Sequence, residues 1–108
     1  MRIDFPNREE LLVQSMNGGA SAVAAKLFQN EWGKVIVSRI LPGAFIGPHV
    51  QKTGNDINFV VSCTGLALCD GEEPLSPGVC RYCLRGQTHS VVNTGKEDLV
   101  LWTVVQEL

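Results

Sequence analysis

Two histidines and four cysteines carry most of the chemistry this 108-residue chain has to offer. The histidines are His49 and His89, and the cysteines are Cys63, Cys69, Cys80 and Cys83. The segment "GVCRYCLRGQTHSVVN", Gly78 to Asn93, holds a C-x-x-C pair and then His89. It admits a zinc knuckle, a redox dithiol, or a strand pair bearing one metal-binding histidine. Spacing argues against the first two. Residues an odd number apart on a strand point to opposite faces, and Arg81-Tyr82 carries no turn signal that would bring Cys80 and Cys83 together. The pattern Cys63-x5-Cys69-x10-Cys80-x2-Cys83 offers one close pair, where zinc ribbons bring two. No βαβ pattern surrounds it, as a thioredoxin-like dithiol requires. The cysteines therefore read as reduced, small apolar residues within strands, one of them at a pocket wall.

The elements that must position the histidines are short strands. Turn signals recur at "NGG" (17–19), "NEWG" (30–33), "LPG" (41–43), "KTGND" (52–56), "DGEEP" (70–74), "SPG" (76–78) and "NTGKED" (93–98). Between them lie β-branched runs such as "KVIVSRIL", "INFVVSC" and "LVLWTVV". Short strands at such spacing predict an all-β sandwich or barrel, and Asp70-Gly71 predicts a tight hairpin. "SAVAAKLFQ" (21–29) fits a helix by alanine content and periodicity, but its context favours a strand. Residues 7–15 read as a helical turn or a short strand. With no repeat and no linker, residues 1–108 form one domain.

Composition narrows the partners. The net charge is −2 and Lys/Arg do not cluster, which predicts neither a nucleic-acid nor an anionic-membrane partner. No apolar run approaches the roughly 20 residues of a membrane helix. The opening "MRIDFPNREELL" lacks the apolar stretch of a signal peptide. These features predict a cytoplasmic protein.

The glycine and histidine spacing resembles the two-motif signature of the cupin superfamily. The second motif stands as Gly78, Gly86, His89 and Asn93, with Leu84 at the usual proline. In the first, Gly43 and His49 stand, while Gln51 replaces a histidine, Asp56 a glutamate and Cys63 a glycine. The resemblance implies a double-stranded β-helix, a jelly-roll-like barrel with a pocket at one mouth. It also implies a divalent metal, Fe, Mn, Ni or Zn, held at the positions of His49, Gln51, Asp56 and His89. Two imidazoles and a carboxylate suit mid-row metals, with the Gln51 amide a weak fourth ligand. Asn58 and Ser62 share the face of Asp56 by alternation and are expected to line the pocket, with Tyr82 a further lining residue. Arg39 reads as a surface residue, and Asn93 as an organiser of the following turn.

The function implied is divalent-metal chemistry or binding on a small polar molecule. Two alternatives stand beside it: a metal-free sugar isomerase or epimerase using His89 and Asp56 as an acid/base pair, and a non-enzymatic module that binds a small ligand. The catalytic residues, the substrate and the metal stay open. Barrels of this family commonly pair, so a homodimer is expected, with "MRIDF" exchanged as a strand.

Overall fold

The structure is a computed structural model in which residues 1–107 are described. Ten strands form: β1 (Leu11–Gln14), β2 (Ala22–Asn30), β3 (Gly33–Ile40), β4 (Phe45–Val50), β5 (Gly54–Ser62), β6 (Gly65–Leu68), β7 (Glu72–Leu75), β8 (Cys80–Cys83), β9 (Thr88–Asn93) and β10 (Leu99–Glu107). They make a six-stranded antiparallel sheet, β1-β2-β3-β10-β5-β8, and a four-stranded one, β4-β9-β6-β7. Among the described residues the ladders stay within each sheet, apart from an isolated bridge between Ala20 and Phe45. The architecture is a jelly-roll sandwich rather than a closed barrel.

The ambiguous stretch at 21–29 is strand, because β3 offers it a full ladder from Val23↔Ile40 to Asn30↔Gly33. A helix there would leave the β3 edge bare and forfeit those pairings. Residues 7–15 resolve into β1, flanked by 3-10 turns at Phe5–Asn7 and Met16–Gly18. Around Asp70-Gly71 the partners Leu68 and Glu72 enclose three residues, so this loop is one residue longer than a type I′ turn.

Within the chain the first ten residues form no strand. Phe5 is buried against Trp102 of its own chain, ring edge to face at 5.3 Å, and Lys26 Nζ donates to the Phe5 carbonyl at 2.9 Å. The segment thus touches β2 and β10 of its own chain.

The inner faces change character along their length. At one end Val23, Ile40, Val60, Leu99 and Leu101 pack into the core with Ala44 and Val91. Truncating a side chain as enclosed as Leu99 to alanine costs about 2–5 kcal/mol in such cores. Toward the other end the inward positions turn polar: Val60 gives way to Asn58 and Asp56 on β5, Leu101 to Thr103 on β10, and Val91 to His89 on β9. The sandwich is thus sealed at one end and open at a polar mouth.

Asn93 ties the sealed end together. Its Nδ2 donates to the carbonyls of Ile40 and Glu97, and its Oδ1 accepts from Gly95 N, which is the turn-organising role its position predicts. Arg39 lies on the outer face, paired with Glu10 and Asp98.

Candidate functional site

A cavity of about 430 Å³ opens at the polar mouth. His49, Gln51, Asp56, Asn58 and His89 all line it, so the structure gathers five residues singled out by spacing. His49 and His89 are direct cross-strand partners on β4 and β9, which sets their rings 4.3 Å apart. A register shift between Ile46 and His49, where Pro48 has no N–H to give the ladder, delivers this pairing. The chain approaches closely here: a Cβ at Gly47 would lie 2.0 Å from the Asn17 carbonyl, so only glycine fits. The facing sheet supplies Asp56, whose Oδ2 lies 3.8 Å from His89 Nε2.

Hydrogen bonds fix which nitrogens carry protons. His49 Nδ1 lies 3.0 Å from the Gly47 carbonyl. A carbonyl only accepts, so Nδ1 holds the hydrogen and Nε2 of the neutral ring is bare. His89 is the reverse. Its Nδ1 lies 3.4 Å from Arg81 Nη1, and a guanidinium only donates. Neutral His89 therefore accepts at Nδ1 and carries its hydrogen on Nε2, which is buried without a hydrogen-bond partner beside Asp56.

Arg81 is the site residue that spacing did not reveal. It is 4 % exposed and belongs to β8 of the larger sheet, yet it reaches the smaller one. Nη1 donates to Asn58 Oδ1 at 2.8 Å, and Nε and Nη2 approach Glu73 Oε1 at 3.3 and 3.2 Å. Asn58 in turn donates to Asp56 Oδ1 at 2.8 Å and to Thr103 Oγ1 at 2.9 Å. A continuous network therefore runs Glu73–Arg81–Asn58–Asp56, with His89 alongside.

Tyr82 does not line the cavity: it is 47 % exposed on the outer face. On β8 the alternation places Arg81 and Cys83 inward and Cys80 and Tyr82 outward. The cysteines diverge as their spacing predicts, and all four are free thiols. Burial, with Cys69 nearby, pushes the Cys83 thiol up to about 11. Ser62 is also displaced from the pocket. It sits at the far end of β5, beyond the bulge opposite Val100/Leu101, and is absent from the lining.

The electrostatics follow from burial. Desolvation raises the Asp56 carboxyl above the usual range, opposed by the Asn58 hydrogen bond and by the charges of Arg81 and His49. His89 falls to about 4, first through burial and then through repulsion from His49 and Arg81. Near neutral pH, His89 is thus a neutral ring.

A divalent metal shared by both imidazoles does not fit these residues as they stand. Metal-bound histidines donate their second nitrogen's hydrogen to an acceptor. His49 meets that condition through Gly47, but His89 would have to aim its hydrogen at the Arg81 cation. Among the described residues no group of three His, Cys, Asp or Glu side chains is arranged to hold a metal ion.

Two facing antiparallel sheets, sealed at one end and presenting paired histidines at the other, define a double-stranded β-helix. The chain belongs to the cupin family: residues 36–105 match the family described as "Cupin domain". No curated protein matches it. Among solved structures it resembles a predicted oxalate decarboxylase from Thermotoga maritima, with a TM-score of 0.93 and 21% identity over 100% of both chains. It also resembles a cupin-superfamily sugar phosphate isomerase from Silicibacter pomeroyi, with a TM-score of 0.79 and 18% identity over 100% of this chain and 76% of that one. For KdgF from Halomonas sp. the TM-score is 0.77 and the identity 17%, over 95% and 92% of the two chains. At these identities the likeness shows the fold alone.

Proposed function

We propose that this cupin binds a small polar carbonyl compound in the mouth cavity and shifts a proton on it, without a metal bridging His49 and His89. Two proton acceptors line the cavity: the Asp56 carboxylate and the bare Nε2 of His49. Such a pair can remove a proton beside a carbonyl and return it elsewhere, the step common to isomerisation and epimerisation. A carboxylate with a raised pKa is a stronger base than an ordinary one, and burial supplies that rise here. Asn58 donates to Asp56, the charges of Arg81 and His49 oppose its desolvation, and Arg81 holds the His89 ring in the Nε2–H tautomer beside it. The observation that carries the reading is the Arg81–His89 contact, which puts a hydrogen on Nε2 and so leaves a family ligand position without a lone pair to offer a metal. The sugar phosphate isomerase among the structural neighbours is consistent with this type of reaction.

A second reading keeps a weakly held divalent metal on His49 Nε2, Gln51 and Asp56. The Gly47 anchor on His49 favours it, since it gives that ring a metal ligand's second contact. One experiment separates the two. The protein is incubated with a panel of short aldoses, ketoses and oxo acids in deuterated buffer, and NMR follows deuterium entering the carbon beside the carbonyl. Exchange that survives chelation and disappears in Asp56→Asn is expected. Exchange lost on chelation and restored by Mn or Fe would establish the metal reading. Ligand binding with no exchange in any member of the panel would leave a binding module.

A further inference from the structure

The cavity also carries an unanswered positive charge. Its charged lining groups are Lys34, Lys52 and Asp56. Lys34 belongs to β3 and shares its inner face with Ile36 and Ser38, which line the cavity too. Among the described residues no ion pair or hydrogen bond is formed by its ammonium or by that of Lys52. The other cation of the interior, Arg81, is already matched by Glu73. Lys34 is half-buried, and Lys52 is exposed on the rim.

Register places Lys34 with respect to the base. It pairs with Val105 on β10, and Val105 pairs with Asp56 on β5. Lys34 and Asp56 thus stand in one row on the inner face, two strand spacings or about 10 Å apart at the backbone. Lys34 lines the cavity together with the apolar side chains of Ile36 and Leu27. A half-buried lysine in the wall of a cavity, with no ion pair among the described residues, is available to an anionic ligand.

We infer that the ligand of this cavity is a short-chain carbonyl compound bearing a carboxylate or phosphate, with the anion on Lys34 and the reacting carbon at Asp56. The inference rests on the proposed proton-shift site and adds the ligand's charge and length. Lys34 is a specificity-determining residue in this account, and Lys52 draws the anion toward the mouth. The two ends of the ligand lie several bonds apart, because its anion and its reacting carbon must occupy opposite sides of one row.

The test uses 4-oxopentanoate and its methyl ester, which differ in charge but share the ketone. Dissociation constants come from NMR titration of the full chain, and deuterium exchange beside the ketone is followed in the same samples. The acid is expected to bind at least about tenfold more tightly than the ester, consistent with one charge-assisted contact. Lys34→Met should bring the acid to the ester's affinity, and Lys34→Arg should keep the preference. Equal affinities for acid and ester in the unaltered protein overturn the inference, as does a preference unchanged in Lys34→Met or binding of neither compound. Added phosphate distinguishes the anion type: it should compete with the acid if the subsite accepts both. Asp56→Asn tells this failure from that of the proton shift, since it should abolish exchange and leave the charge preference intact. A charge preference without exchange in the unaltered protein would keep Lys34 as an anion subsite and remove the proton chemistry.

Discussion

Arg81 Nη1 lies 3.4 Å from His89 Nδ1, and this contact decides which nitrogen of His89 carries the proton. A guanidinium has only hydrogens to offer, so the ring must accept there and carry its hydrogen on Nε2, which lies 3.8 Å from Asp56 Oδ2 without a hydrogen bond. One buried cation on an edge strand thereby sets the character of the whole site.

The tautomer is directly observable. Two-bond nitrogen–proton NMR spectra of labelled protein at pH 7 should show His89 as the Nε2–H form and His49 as the Nδ1–H form. In Arg81→Met, His89 should become a mixture. That variant also leaves Asn58 Oδ1 without its donor, at a cost of about 1–3 kcal/mol. An unchanged His89 spectrum in Arg81→Met would remove the proposed control.

The same contact governs metal affinity. Gln51→His adds a third imidazole, yet Arg81 still faces His89. Divalent-metal affinity should therefore rise further in the Gln51→His/Arg81→Gln pair than in Gln51→His alone, by about 10- to 100-fold. Calorimetric titration with Mn or Ni measures this. Equal affinity in the single and double variants would show that Arg81 is no obstacle.

Stability should depend on pH in a way that Asp56→Asn exposes. The His89 pKa is lowered from 6.5 to about 4. Below pH 6.5 the unfolded chain therefore takes up a proton that the folded one refuses, and stability falls until about pH 4. The drop is about 3 kcal/mol at most. The raised pKa of Asp56 acts oppositely: its contribution is present below its unfolded pKa and is lost as pH rises through the folded one. Asp56→Asn should therefore gain about 0.5–2 kcal/mol near pH 8, as substitutions at strained functional sites often do. It should also fall more steeply than the unaltered protein between pH 6.5 and 4 in urea melts. A loss of stability near pH 8 would contradict the burial argument.

The thiols should separate by exposure. Cys80 is exposed, whereas Cys83 is fully buried with its thiol raised to about 11. Maleimide labelling of the native protein should modify Cys80 first and Cys83 last, and four thiols should titrate after denaturation. Recovery of two without reductant would point to a disulfide.

The N-terminal segment should act within its own chain. Phe5→Ala removes the edge-to-face contact with Trp102 and is expected to cost about 1–3 kcal/mol, below the usual Phe→Ala range because Trp102 stays partly solvated. Its tryptophan emission should shift to the red. If light scattering instead shows Phe5→Ala converting a dimer to monomers, the segment belongs to an exchanged arrangement.

Much of this was legible in the sequence. Turn residues bracketing β-branched runs specified an all-β chain, because both signals act within a few residues. The spacing of Gly78, Gly86, His89 and Asn93 specified the hairpins that carry the second histidine; Gly78 and Gly86 both adopt the positive φ that favours glycine, at 91° and 93°. Alternation placed His49, Asp56 and Asn58 correctly and parted Cys80 from Cys83. It failed for Ser62, which a bulge in the pairing with β10 sets apart from the cavity lining, and it offered nothing on Tyr82, since a period of two names two faces without saying which is covered, and on a four-residue edge strand arginine is ordinarily the outward residue. Only the packing of one sheet on the other put Arg81 inside, beside Glu73, Asn58 and His89, and Lys34 in a row with Asp56. Those partners lie 8, 23, 8 and 22 residues apart, and contacts that join different strands and sheets leave no periodic mark on the chain.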